Sequence, residues 1–447
     1  MMKKQSTSST PLLQNFPIRG RILRFLEKMG PYIRKYLISH DRLERPFSRA
    51  ARNWIYKAAD AEDTTIAFGS TRNINAASTF SFVNHPFPVL KEDTLPSAEV
   101  TIGPYADIPF STSAIFNISA ASYGALSAPA IKALSHGAKR AGIWLNTGES
   151  GLSPHHLESG CDLIFQIGTA KYGVRDKQGK LCDERLRNIA KHPQVRMFEL
   201  KISQGAKPGY GSVLPADKLT ADVAAVMGVP EGQSATSPNR IEEINSIDSL
   251  LDMVARVRAV TGKPTGFKTA IGSYTWLETL CKAIISRGGE SAPDFITIDG
   301  AEGGTGAAPM SMMDFMSLPL QECLPRVIDI VSQYGLQERI RIIASGGLAT
   351  PPDVAWALCE GADFVHSTRG FMFALGCVQA LKCHTNNCPT GIASHNPKLQ
   401  KGLDVKGASG RIAYYVSAIE DEVSRIAWAC GAKQARDLSR EHLRKKG

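Results

Sequence analysis

The sequence predicts an α/β chain folded as a (β/α)8 barrel, with a helical extension before it and a helical tail after it. Three observations predict this. Eight short β-rich runs stand between residues 115 and 367, helical stretches alternate with them, and several runs end in a glycine-bearing turn. Eight alternations over about 260 residues are the pattern of a closed parallel barrel; an open doubly wound sheet is the alternative. The chain has 447 residues, 43% of them hydrophobic and 21% charged, which excludes wholesale disorder and supplies a large core. The 39 glycines are not periodic, which excludes a collagen-like chain.

The predicted division is residues 1–75 as the extension, 76–400 as the barrel and 401–447 as the tail. Residues 1–11 are polar. From Ile18 to Ile38, Ile22, Phe25, Leu26 and Met29 recur with helical spacing, Gly30-Pro31 interrupts, and Tyr32, Ile33, Tyr36 and Leu37 resume it. Arg45–Ala59 reads as one more helix. Residues 1–60 hold 13 Lys or Arg against four acids, so the rest of the chain is close to neutral. The segment reads as a helical cap on the barrel or as a peripheral membrane contact. Nucleic acid is not an expected partner, since the near-neutral remainder offers no basic surface. No apolar run of signal-peptide length follows the basic start, and none is long enough to span a bilayer. The nine cysteines, an odd number in a long chain, do not read as a disulfide framework. A cytoplasmic protein with reduced thiols is expected, with membrane association only through residues 1–60.

The strand candidates, in order, are Ile115–Ile118, Ile143–Leu145, Leu163–Ile167, Phe198–Ile202, Gly266–Ile271, Asp294–Asp299, Arg341–Ser345 and Asp363–Ser367. After the first, Ser119, Ala120 and Ser122 offer small residues on which a flat ring can lie. After the second, Asn146-Thr147-Gly148-Glu149 puts a carboxylate at the barrel mouth. Gln166 ends the third. Lys201, Gln204 and Lys207 surround the fourth, and Lys268 lies in the fifth; lysines at a barrel mouth are costly unless they face anions. Asp299 ends the sixth, followed by Gly303 and Gly304. Gly346 and Gly347 follow the seventh, and Arg369-Gly370 the eighth. Loops after strands 7 and 8 commonly build a phosphate site, where glycines let backbone N–H groups approach and Arg adds a fork of donors. Such a site suits FMN, and Lys268 would then face the edge of the ring where negative charge develops. Gly205–Asn239, rich in Gly and Pro with no clear strand, is a long loop expected on the catalytic face. Ile412–Lys446 reads as an amphipathic helical tail.

Cys377, Cys383 and Cys388 stand as Cys-x5-Cys-x4-Cys, with Pro389 after the last. Zinc would want a fourth ligand, and His384, adjacent to Cys383, is awkwardly placed to share an ion. Iron–sulfur clusters often use closely spaced cysteines with a proline after the last, and three thiolates suit a [3Fe–4S] cluster. Three free thiols remain the alternative.

Several motifs occur together and in order: Ala121-Ser122-Tyr123-Gly124-Ala125-Leu126-Ser127, Asn146-Thr147-Gly148-Glu149, Gln204-Gly205-Ala206-Lys207-Pro208-Gly209, Gly303-Gly304-Thr305-Gly306-Ala307 and Ala374-Leu375-Gly376-Cys377. With the cysteine triplet, this set resembles the FMN-binding domain of glutamate synthase, and most of all the stand-alone glutamate-synthase-like proteins. The resemblance runs from about Asn117 to His395. It implies a barrel carrying FMN and a [3Fe–4S] cluster, in which 2-oxoglutarate and ammonia give an imino acid that is reduced to glutamate. It implies a polar contact by Glu149 near the reacting carbon and a substrate carboxylate on Lys207. It gives Lys268, Gly346, Gly347, Arg369 and Gly370 to FMN, and Cys377, Cys383 and Cys388 to the cluster. It also implies a small-molecule oxo acid and ammonia as substrates and a separate electron donor protein or reductase.

The sequence departs from the family in two places. The family's glutaminase nucleophile is an N-terminal cysteine, but here the chain opens Met1-Met2 and the first cysteine is Cys161, so free ammonia is the expected nitrogen source. The family's Gln and Arg toward the oxo acid align with Val213 and Met227, which puts 2-oxoglutarate itself in question.

Overall fold

The computed structural model describes residues 40–76 and 79–445, together with Phe25, Met29, Gly30, Tyr32 and Ile33. It divides into two compact units, residues 1–53 and 54–447. In the first unit, Phe25, Met29, Gly30, Tyr32 and Ile33 are helical; the rest of the two helices expected over residues 18–38 lies outside the described residues, as do most of the basic side chains of residues 1–60. Glu44 pairs with Arg52, and Asp41 with Arg49 at 3.3 Å. The helix expected over Arg45–Ala59 starts at Arg49 and ends at Ala59 (α1). Among the described residues, no helix is long and apolar enough to cross a membrane.

The second unit is built on eight parallel strands: β1 (Phe116–Ile118), β2 (Leu145–Asn146), β3 (Leu163–Ile167), β4 (Val195–Lys201), β5 (Thr265–Thr269), β6 (Phe295–Asp299), β7 (Arg341–Ser345) and β8 (Phe364–Ser367). Each pairs with the next, and β8 pairs with β1 to close the barrel. The register sets Asp299 beside Ser345 and Lys268 beside Lys201. All eight expected strands are present. β2 is only two residues, shifted toward Asn146, and β4 begins three residues earlier than expected, at Val195. Exposed Arg196 sits between buried Val195 and Met197 and hides that start.

The core starts in the first halves of the strands. Trp144, Ile164, Met197, Phe295, Ile343 and Phe364 pack with Ile102 and Phe110. The last two come from a hairpin, Val100–Ile102 with Phe110–Thr112, that plugs the amino-terminal end. Each such side chain stabilises by roughly 1.5–3 kcal/mol on burial.

Helices α2 (Ala128–Ala141), α3 (Asp183–Ala190), α4 (Ile247–Thr261), α5 (Thr275–Arg287), α6 (Leu320–Gln333), α7 (Pro351–Glu360), α8 (Arg369–Ala374) and α9 (Val405–Ala429) follow the strands in sequence. α2 starts on Ser127, whose hydroxyl accepts from the Ala130 N–H at 3.3 Å. α9 packs along α2 so closely that a Cβ on Gly137 would stand 2.5 Å from the Ile412 Cβ. Tyr415 of α9 reaches back to the barrel. Its ring packs edge-on against Phe116 and Phe371, its hydroxyl donates to the Ala349 carbonyl at 2.6 Å, and a Cβ on Gly370 would run into that hydroxyl.

The tail departs from the expected continuous helix. α9 ends at Ala429, Gly431 turns with φ +89°, and Leu443–Lys445 becomes a strand antiparallel to Phe80–Phe82. Anchors decide this over helical periodicity: Arg436 donates to the Asp363 carbonyl at 2.6 Å, and Lys445 pairs with buried Glu360 at 2.8 Å. The segment Gly205–Asn239 also carries more structure than its composition indicates. Val213–Leu214 pairs with Ala235–Thr236, and a short helix spans Ala221–Met227.

Candidate active site

The carboxyl ends of the strands carry three adjoining features: a polar cleft, a buried polar layer in the barrel mouth, and a glycine-rich turn. The cleft is lined by residues that include Glu149, Lys201, Gln204, Lys207, Tyr210, Ser212 and Asn239. Glu149 follows β2 through Gly148, whose φ of +66° and lack of a Cβ let the chain pass against the Ser122 backbone. The Ser122 hydroxyl accepts from the Glu149 N–H at 3.2 Å. The Glu149 carboxylate takes Lys201 Nζ at 3.1 Å on one oxygen and the Ser212 hydroxyl at 3.0 Å on the other. Burial pushes this carboxyl up, but Lys201, Ser212 and Lys207 outweigh it and hold it below the usual carboxylate range. Lys207 is 5% exposed; burial, then the charge of Lys201, lower its pKa.

The cleft runs into the barrel mouth along the chain itself. The Ser203 N–H donates to the Lys268 carbonyl at 3.2 Å, and the Gly205 N–H to Asp299 Oδ2 at 2.8 Å. The same oxygen faces Lys268 Nζ at 3.3 Å, and Ser345 donates to the other at 2.7 Å. Burial raises the Asp299 pKa, and these partners, Lys268 first, bring it below its usual value. One layer deeper, Glu199 is fully buried and accepts from Asn146 (2.8 Å), Gln166 (2.7 Å) and Thr297 (2.6 Å). Its two amide donors fix which way the Asn146 and Gln166 side chains face. His366 accepts from the Trp144 indole N–H at 2.7 Å through Nε2, which leaves the proton on Nδ1. Nδ1 is buried and has no hydrogen-bond partner among the described residues. Burial, with the charge of Lys268 adding to it, lowers this imidazole to about 3.

The turn after β7 holds Gly346 at φ +123° and Gly347 at φ +74°. Among the described residues, neither of their N–H groups has an acceptor. Gly304 lies against Arg369, where a Cβ would stand 2.6 Å from Nε, and one on Gly303 would stand 2.8 Å from an Asp299 oxygen. Arg369 donates to the Glu302 carbonyl, and burial lowers its pKa to about 10. Gly370, next to it, donates to the Ser367 hydroxyl at 3.3 Å. Ser119 bonds the end of β8 through the Ser367 carbonyl at 2.9 Å, and the Thr368 hydroxyl reaches the Ala120 carbonyl at 3.5 Å. Unpaired donors, missing Cβ atoms and a guanidinium together fit a phosphate-bearing flavin.

The cysteine loop follows α8. The Gln379 N–H donates to Cys377 Sγ at 3.4 Å, and Gln379, Leu381 and Asn386 all take left-handed φ between +52° and +57°. Burial, then neighbouring Cys388, push the Cys383 thiol up, and Lys218 opposes them. Among the described residues, no three His, Cys, Asp or Glu side chains stand together as a preformed metal site. Three thiols on one tightly wound loop, with an N–H already on one sulfur, nonetheless fit the chemistry of a thiolate-held cluster.

Neither Val213 nor Met227 lines the cleft: Val213 is exposed and Met227 is buried in its own helix. The sequence reading placed Glu149 and Lys207 in one site, and the structure brings them together. It missed Ser212, Tyr210 and Asn239, which sit in the long loop without a distinguishing motif, and Glu199. A carboxylate amid the apolar residues of β4 was the available signal for Glu199.

Residues 95–433 match the family described as the conserved region in glutamate synthase. The chain belongs to the glutamate synthase family. It is 37% identical to the glutamate synthase large subunit-like protein YerD of Bacillus subtilis, over 99% of this chain and 91% of that protein. It is 34% identical to an archaeal glutamate synthase [NADPH] of Methanocaldococcus jannaschii, over 72% of this chain but only 60% of that protein's length. Among solved structures, the monotopic membrane protein (S)-mandelate dehydrogenase superposes with a TM-score of 0.51 at 12% identity, covering 82% of this chain and 88% of that one. A flavocytochrome b2 mutant with benzoylformate gives 0.51 at 13% identity, covering 88% and 78%. At these identities the likeness supports the barrel fold alone.

Proposed function

We propose that the chain is an FMN- and iron–sulfur-dependent oxidoreductase of the glutamate synthase type, reducing an imino or oxo acid with free ammonia as the nitrogen source. The observation that carries this is the continuity of the cleft with the barrel mouth and the glycine turn: Gly205, on the cleft's own loop, bonds the Asp299 that pairs with Lys268.

Gly346, Gly347, Arg369 and Gly370 would hold the flavin phosphate. Ser119, Ala120, Ser122, Gln166, Lys268, Asp299, Gly303 and Gly304 would border its ring and ribityl chain. FMN, when bound, supplies hydride chemistry. Cys377, Cys383 and Cys388 would hold a [3Fe–4S] cluster, which would supply one-electron transfer from a separate donor protein or reductase. Lys207 binds the substrate carboxylate. Glu149, kept ionised by Lys201 and Ser212, accepts an N–H of the incoming nitrogen and orients it. Oxo acid and ammonia lose water to form the imine, which takes up two electrons and two protons (a hydride equivalent and a proton) from outside the chain to become the amino acid.

Protein purified without oxygen should carry FMN and about three irons per chain. Cys383→Ser should lose the iron and keep flavin, because the phosphate turn lies on other loops. Reduced protein should be reoxidised by an oxo acid plus ammonium. One zinc and no iron would sink the cluster, and a flavin-free protein that FMN cannot reconstitute would sink the whole assignment.

A further inference from the structure

The charges lining the cleft discriminate between oxo acids. A 2-oxo monocarboxylate brings one anionic group and 2-oxoglutarate brings two. Each carboxylate taken out of water needs a cation or several donors to replace its hydration.

Among the described residues, Lys201 and Lys207 are the cations that line the cleft. Lys201 is committed to Glu149 at 3.1 Å. Lys207 is buried and makes no salt bridge or hydrogen bond through its ammonium among the described residues, the Glu149 carboxylate acting on it only from beyond contact distance. Two lysines against one glutamate leave a surplus of a single positive charge. The other cations nearby are spent elsewhere. Lys171 pairs with Glu243 at 2.7 Å. Arg240 is turned onto the carbonyls of Glu242 (2.8 Å) and Ile244 (3.0 Å). Lys268 faces Asp299 at 3.3 Å. What remains on the cleft wall around Lys207 is neutral: Gln204, Tyr210, Ser212 and Asn239.

We propose that the cleft takes 2-oxo or 2-imino monocarboxylates in preference to 2-oxoglutarate, with the one carboxylate on Lys207 and an uncharged side chain against the neutral wall. This rests on the oxidoreductase assignment above and narrows its substrate class.

The test is calorimetric titration of the holoprotein with pyruvate, 2-oxobutyrate, 2-oxoisovalerate and 2-oxoglutarate, with and without ammonium, alongside reoxidation rates. The monocarboxylates should bind at least tenfold tighter than 2-oxoglutarate. Lys207→Met should weaken them at least tenfold, and Lys207→Arg should restore part of the loss. Asn239→Arg, which adds a second cation to the wall, should tighten 2-oxoglutarate at least tenfold relative to pyruvate. Binding of 2-oxoglutarate as tight as that of pyruvate in the unaltered protein overturns the monocarboxylate preference alone. Absence of both binding and turnover for every oxo acid overturns the oxidoreductase assignment as well. The ligand panel on the unaltered protein decides the matter even if a variant fails to fold.

Discussion

The ammonium of Lys218 donates to the carbonyl of Cys383 at 2.8 Å and to that of Ala125 at 3.0 Å, with the residue only 2% exposed. Three loops meet there: the one after β1, the long one after β4, and the cysteine loop. Asn386 donates to the Asp217 carbonyl at 2.9 Å, and His395 to that of Gly124 at 2.8 Å, which reinforces the junction. Lys218→Met leaves two carbonyls without their donor and should cost about 1–3 kcal/mol. It should also slow native-state alkylation of Cys383, because Lys218 is the charge that opposes the rise of its thiol pKa. Denaturant unfolding and mass-resolved thiol labelling check both, and Lys218→Arg should recover most of the loss. Unchanged stability and labelling in Lys218→Met would count against the junction.

Two buried histidines predict acid lability. Burial lowers His156 from 6.5 to about 4 and His366 from 6.5 to about 3. Both are neutral in the folded chain at pH 7. Below pH 6.5 the unfolded chain takes up protons that the folded chain refuses, so stability is lost as pH falls through this window. Each contributes a slope of up to about 1.4 kcal/mol per pH unit, or about 2 kcal/mol for the pair between pH 6 and 5. Urea midpoints at pH 7, 6 and 5 measure it, and His156→Gln should remove about half. A flat profile over this range would refute it.

The α2–α9 contact predicts opposite outcomes for two glycines. Gly137→Ala places a methyl 2.5 Å from Ile412 and should destabilise by about 1–3 kcal/mol. Gly410, in α9, has only Arg140 Nη1 near, at 3.6 Å, so Gly410→Ala should stabilise by about 0.5–1 kcal/mol through helix propensity. Thermal melting of the two variants should move in opposite directions.

The glycine turn predicts a cofactor defect. Gly346→Ala strains a backbone at φ +123° and sets a methyl 3.0 Å from the Gly300 nitrogen, at a cost of about 1–3 kcal/mol. FMN content should fall at least tenfold on reconstitution. Gly209→Ala, at φ +67° with nothing within 4 Å, carries backbone strain without crowding the turn and should keep its flavin. Equal FMN affinity in both variants would remove Gly346 from the phosphate seat.

The barrel was legible because each strand is a short apolar run closed by its own turn, and periodicity reads such runs well. β4 was the exception at its start, where exposed Arg196 interrupts the apolar run, while the role of Glu199 within it comes from partners on other strands of the barrel. Glu149 and Lys207 were legible as charges at strand ends, where exposure to water is incomplete and a charge needs a reason. Ser212 and Asn239 were not, because their role comes from how a long loop folds back on itself. The tail beyond Ala429 was misread as helix because its spacing is amphipathic, while its conformation is set by Asp363 and Glu360, distant in sequence.

Tyr415 gives α9 a role that its position outside the barrel would not indicate. One side chain bonds the loop after β7 through Ala349 and backs the turn after β8 at Gly370, so both halves of the proposed phosphate seat rest on a single helix. Occupancy of that seat should slow amide exchange along α9, and loosening of α9 should release the occupant. Retention of the ligand and docking of a late-sequence helix thereby become one cooperative unit, in which a lesion in either is felt in the other.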